Sequence, residues 1–319
     1  MQSYLKTKPV WVQLLLFIGM ALGIFVVLSI AGVWILSKIT HINLLDVSDP
    51  DKWDSSNPNM ITFVRGMLIV QFLGLFLVPS LLFAYFSDPK ALEYVGFRRP
   101  VRHIYWFIAV VTLMVAIPLV EYTGVLNRHL LFPEGLQKWM QSMEDEAAKQ
   151  IQFMLSRHSV TELILNITLI AGLAAVGEEL FFRGVLQRLF IRAFKNPWAG
   201  IIVAAFLFSG FHLQFFGFIP RLLLGILLGA IYWYSGSLWT AIVAHFVYDG
   251  FFIVLAYFQP KLVQDTEATV FNESSLALLA LMSTVLLVVL ILMMRKHSTV
   301  TYDSVYTDDK LQQEQDPSF

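Results

Sequence analysis

Apolar residues fill eight long stretches of the chain, at 11–36, 66–86, 104–120, 163–176 with its continuation, 201–216, 222–234, 238–258 and 276–294. A helix crosses the hydrocarbon core of a bilayer in about 20 residues, and only helices or closed barrels satisfy their own backbone there. Runs of this length predict helices, so the chain reads as an all-α polytopic membrane protein with about eight transmembrane helices. The first run is about twice the 7–15 residues of a signal-peptide core and lacks a small-residue cleavage site, so it reads as a retained anchor. Between the third and fourth runs, Leu136, Met140, Met143, Ala147, Ile151 and Met154 recur every three or four residues among polar positions. That period predicts an amphipathic helix lying on the outer membrane surface. The polar segment 297–319 reads as a disordered tail.

Lysine and arginine orient the spans. Lys6 and Lys8 precede the first, Lys90, Arg98, Arg99 and Arg102 follow the second, Arg183, Arg188, Arg192 and Lys195 follow the fourth, and Arg295 and Lys296 follow the eighth. With eight alternating spans these all fall on one side, which makes both termini cytoplasmic. Composition agrees with a membrane environment: 57% of the 319 residues are hydrophobic and 14% charged, against about 25% charged in soluble domains. A net charge of −1 gives no basic face for nucleic acid. The chain has no cysteine, which removes disulfides, thiolate catalysis and sulfur-ligated metals.

Ionisable residues inside spans are expensive and mark function by default. Here they cluster in three places: Glu178, Glu179 and Arg183 in the fourth run, His212 after Phe208 in the fifth, and His245 with Asp249 in the seventh. Helical periodicity puts Glu179 and Arg183 on one face as an ion pair, turns Glu178 about 100° away, and stacks His245 on Asp249. Counted from a turn at Asn196 and Pro197, Glu178 and His212 lie roughly 27 and 22 Å deep at ~1.5 Å per residue, so an antiparallel hairpin brings them level. His245 and Asp249 lie roughly 12 and 18 Å from the turn at 235–237 by the same count, a mismatch of several ångströms. The four groups predict one site, opening toward the cytoplasm. A carboxylate and a histidine can deprotonate water while a second histidine supports an oxyanion, which describes peptide hydrolysis. Glu178, His212, His245 and Asp249 would equally suit Zn2+ as nitrogen and oxygen ligands with an open position.

These motifs, Glu178-Glu179-x-x-x-Arg183, Phe208-x-x-x-His212 and His245-x-x-x-Asp249 in order on successive helices, resemble those of the CPBP family of intramembrane proteases, which includes the type II CAAX prenyl proteases and bacteriocin-processing proteins. The resemblance covers about residues 161–258 and implies a four-helix catalytic core there. It implies that Glu178 and His212 activate water, that His245 and position 249 stabilise the oxyanion, and that Glu179, Arg183 and Phe208 shape the site. The prenyl proteases carry Asn where this chain has Asp249, so Asp249 must be protonated, orient His245 or ligate a metal.

The expected organisation is a three-span region with the outer amphipathic segment at 1–160, the catalytic core at 161–258, a loop and last span at 259–296, and the tail at 297–319. The expected activity is an endopeptidase in a bacterial cell membrane, with a membrane-associated peptide or protein as substrate and the bilayer as its medium. An ion-coupled transporter or a silent scaffold would use the same polar cluster differently. Gly225 and Gly229 read as a helix-packing stripe, and Arg65, Glu121 and Glu162 as interfacial anchors.

Overall fold

The computed structural model describes residues 4–261 and 269–306. Residues 262–268 of the loop before the last span, and 307–319 of the tail, lie outside the described residues. Among the described residues seven helices are long and apolar enough to cross a membrane, and the protein is an integral, all-α membrane protein. In chain order these are α1 (Val10–Thr40), α2 (Pro58–Ser87), α3 (Ile104–Arg128), α5 (Val160–Phe194), α7 (Phe218–Ser235), α8 (Leu238–Phe258) and α9 (Glu273–His297). The expected amphipathic helix is α4 (Glu134–Met154).

The expected fifth span, 201–216, is shorter than the sequence suggested. Its helix α6 (Pro197–Phe211) has 15 residues and stops before His212. The chain reverses at Leu213, which adopts a left-handed φ of 54°. The reversal is pinned by buried Asn127 of α3, whose amide donates to the Phe215 carbonyl at 2.7 Å and whose oxygen accepts from the Ile219 amide at 2.9 Å. Ser209 Oγ adds a bond to the Phe218 carbonyl at 2.6 Å. Backbone groups inside a membrane need such partners wherever a helix is interrupted.

Local sequence accounts for the turns at the other end. Lys195 takes a left-handed φ of 51° to end α5, Asn196 accepts from the amides of Trp198 and Ala199, and Pro197 occupies the first turn of α6, where its missing N–H has no cost. Between α7 and α8, Gly236 supplies the left-handed residue at φ 65°. The flanking backbone is tied to the loop after α2 by Leu238 N–H to Gly96 O at 2.8 Å and Val101 N–H to Ser235 O at 2.9 Å.

Three stretches leave the α geometry for the wider π form: Phe72–Leu77 in α2, and Ile167–Gly172 and Glu179–Gln187 in α5. No periodicity in the sequence announced them. Such bulges concentrate at functional sites, and the longest begins at Glu179.

Three residues expected as interfacial anchors are instead paired with other parts of the protein. Arg65 bonds Glu162, and also Asn166 at 3.1 Å, while Glu121 accepts from the amides of Val270 and Phe271 at 2.7 and 3.3 Å. The start of the tail is also ordered: α10 (Tyr302–Val305) is opened by a Thr301–Ser304 capping box. Tyr306 is 8% exposed and its hydroxyl donates to the Arg188 carbonyl at 2.8 Å. Apolar Val305 and the two tyrosines give this segment something to bury, which the charge-rich average of 297–319 concealed.

Candidate active site

The π segment of α5 starts the construction. Glu179 and Arg183 are 0% and 1% exposed and form the expected i, i+4 pair, Nη1 to Oε1, at 2.7 Å. Arg183 Nη2 also donates to the Gly225 carbonyl at 3.1 Å, and its guanidinium covers the Phe208 ring at 4.5 Å. The small-residue stripe explains how α7 comes so close. A Cβ at Gly225 would lie 2.9 Å from that of Ala205, and one at Gly229 2.6 Å from Gln187 Oε1. Gln187 in turn donates to the Gly229 carbonyl at 3.1 Å. The glycine stripe therefore packs α7 on α5 and α6, and Gly225 also presents an acceptor to Arg183.

From α8, His245 is brought against this pair. Its Nδ1 lies 2.9 Å from Glu179 Oε1, so the oxygen that holds Arg183 also receives the imidazole N–H. A carboxylate only accepts, so Nδ1 is the donor and Nε2 is left facing outward. Nε2 lies 3.2 Å from Asp249 Oδ2 and 4.0 Å from Glu178 Oε2. The sequence placed Asp249 with His245 and set Glu178 apart from Glu179; Asp249 lies beside His245, while Glu178 and Glu179 both lie within 4.0 Å of the same imidazole, at its two different nitrogens. What it missed is the bridge from Glu179 to His245, which joins the first motif to the third; helix spacing carries no information about contacts between helices.

His212 caps the end of α6. Its Nδ1 lies 2.8 Å from the Phe208 carbonyl in the turn below, so Nε2 is the nitrogen left for other partners. Phe208 is 4% exposed and joins the two histidines, with its ring centroid 5.0 Å from the His212 ring and 6.2 Å from that of His245. The depth mismatch has a physical source as well. A π turn holds more residues than an α turn, so Glu178 lies closer to the Asn196 turn than an α-helical count gives.

Exposure within the cluster rises from 8% for the His245 side chain to 31% for Asp249, one turn farther from Gly236. The site therefore opens away from that turn, toward the side of α4, where Trp139 packs on Phe215 at 5.1 Å. The expected opening on the side of the termini is corrected by this direction.

The donor set does not fit zinc as arranged. His245 has one nitrogen committed to Glu179 and the other within hydrogen-bond distance of Asp249, and no group of three or more His, Asp or Glu residues among the described residues is placed to hold a metal ion.

Comparison with known proteins bears on the same helices. Residues 160–251 match the family model described as "Type II CAAX prenyl endopeptidase Rce1-like". A protein of Bacillus subtilis (strain 168), "Uncharacterized protein YpbD", is 28% identical over 127 residues, which cover 39% of this chain and 60% of that protein. The chain thus matches less than two thirds of the length of this relative. No solved structure matches the chain. The matched segment carries all three motifs, so this part of the chain is similar to the type II CAAX prenyl endopeptidases in the same helices that bring Glu179 and His245 together.

Proposed function

We propose that this protein is an intramembrane endopeptidase that cleaves a membrane-associated peptide or protein segment with a glutamate-activated water. The observation that carries this reading is the environment of His245, an imidazole within 4.0 Å of three carboxyl groups, Glu178, Glu179 and Asp249, inside an apolar bundle.

In this reading Glu178, whose side chain is 15% exposed, is the general base. It takes a proton from water as the water oxygen attacks the scissile carbonyl, and His212 Nε2 orients that water. The developing oxyanion accepts from the Nε2–H of a doubly protonated His245, whose ring is fixed by its Nδ1–H bond to Glu179. As the tetrahedral intermediate collapses, the C–N bond breaks and the proton held on Glu178 passes to the leaving amine. Glu179 and Arg183 touch no substrate; they hold His245 and α5 in register. Asp249 fixes the outer edge of the imidazole. Low polarity around the site strengthens each of these interactions. The medium is the bilayer of a bacterial cell, with both termini on the cytoplasmic side, a placement supported by the lysines and arginines at that end.

The test is cleavage of a membrane-tethered peptide library by the purified protein in detergent. Glu178→Gln and His212→Ala should each lose about 10²–10⁴-fold in rate, the range for general acid–base groups, and a chelator should leave the wild type unchanged. Activity lost to chelator and restored by zinc would overturn the water-only chemistry. Equal cleavage by wild type and both variants would remove Glu178 and His212 from the mechanism, and no cleavage by the wild type across the library would remove the protease reading and direct attention to ion flux in vesicles.

A further inference from the structure

At the end of the molecule opposite the candidate active site, the loop after α2, the last turns of α5 and the start of the tail enclose a cavity of about 260 Å³. Its lining holds five cations, Lys6, Lys90, Arg98, Arg188 and Arg192, against two carboxylates, Asp88 and Glu93. Both carboxylates already have partners: Asp88 lies 3.7 Å from Lys6 and Glu93 lies 3.6 Å from Lys90.

Arg188 is surrounded by tyrosines rather than paired with a carboxylate. Its guanidinium sits over the rings of Tyr94 and Tyr306 at 4.7 and 5.8 Å. Its Nε is buried without a hydrogen-bond partner among the described residues. A cation so placed is expensive unless an anion pairs with it. Arg98 lies beside it, and the two line an adjoining smaller cavity together. Arg98 spends Nε on the Gly236 carbonyl at 2.7 Å, which leaves its terminal nitrogens for a ligand. Two guanidinium forks facing one space match the oxygens of a phosphate group better than a single carboxylate.

We propose that this cavity is a phosphate-binding site, with Arg188 and Arg98 as the forks that grip the oxygens and Lys90 at the mouth. The phosphate belongs either to a lipid headgroup or to a soluble phosphate compound, which share this chemistry. The site is separate from the catalytic cluster and does not rest on the protease reading.

The experiment follows thermal unfolding of the full chain by tryptophan fluorescence. One arm titrates inorganic phosphate against chloride at constant ionic strength in neutral detergent. The other compares phosphatidylcholine nanodiscs with and without phosphatidic acid. A saturable rise of the midpoint is expected in at least one arm: response to inorganic phosphate assigns a soluble ligand, and response to phosphatidic acid alone assigns a headgroup. Arg188→Gln should weaken the apparent Kd by about tenfold or more, the loss of one charge-assisted bond. Lys90→Gln alters a side chain that is 72% exposed, so folding is not at stake, and it should weaken binding several-fold. No saturable rise in either arm, or a rise unchanged in both variants, would overturn the proposal.

Discussion

Glu179→Gln isolates the bond that joins the motifs. The substitution keeps the shape of the side chain and an acceptor oxygen but removes the charge that faces both Arg183 and His245. At 2.7 Å and an effective dielectric of about 20, the direct attraction to Arg183 is ~6 kcal/mol, set against a desolvation cost of several kcal/mol for each ion. The net worth of the pair is therefore small, but removing one partner leaves the other buried and uncompensated, which costs about 3–5 kcal/mol. Reversible unfolding in mixed micelles should show that loss for Glu179→Gln. The double variant Glu179→Gln, Arg183→Met should recover most of it, because no unpaired charge remains and methionine fills the space. Cleavage should not recover with stability, since His245 Nδ1 still lacks its carboxylate. A single variant within about 1 kcal/mol of wild type, the range of a solvated surface pair, would refute the reasoning. So would a double variant that regains full activity.

Gly225→Ala should cost about 1–3 kcal/mol in the same unfolding measurement, because the added methyl meets the backbone of Ala205 at 3.1 Å and α7 must move off Arg183. Asn127→Ala leaves the Phe215 carbonyl and the Ile219 amide without their partner. It should cost about 1–3 kcal/mol and speed hydrogen exchange across 212–219, with slower turnover; unchanged exchange there would separate Asn127 from the placement of His212. On α4, burial raises the Glu144 carboxyl above its ordinary value, against the opposing pull of Arg221 and Arg128, and Asp145 adds to the rise. The docked helix thus holds its proton more tightly than the free one, so docking is strongest below about pH 4.5 and weakens as pH rises through the raised value. Glu144→Gln should flatten that dependence, read as hydrogen exchange of 134–154 against pH.

The sequence determined the parts of this protein that depend on local spacing and on the cost of leaving water. Long apolar runs fixed helices in a bilayer, and a four-residue step put Glu179 with Arg183 and His245 with Asp249 on single helix faces. The period of Leu136 to Met154 fixed α4, and the Lys195-Asn196-Pro197 and Ser235-Gly236-Ser237 turns set where helices end, because cap chemistry and left-handed backbone are local. Tertiary structure decided what one helix does to another. Asn127, 88 residues from Phe215, shortens α6 and puts His212 at its tip. The π turns that adjust the depth of Glu178 leave no periodic trace. Glu179 of α5 meets His245 of α8 across 66 positions of chain, a contact between helices that spacing within either one does not encode. The direction in which the site opens, and the pairing of Arg65 with Glu162, follow from the same packing. Hydrophobic periodicity records which face of a helix is buried but not against which partner, so the contacts that join the three motifs had to come from the folded bundle.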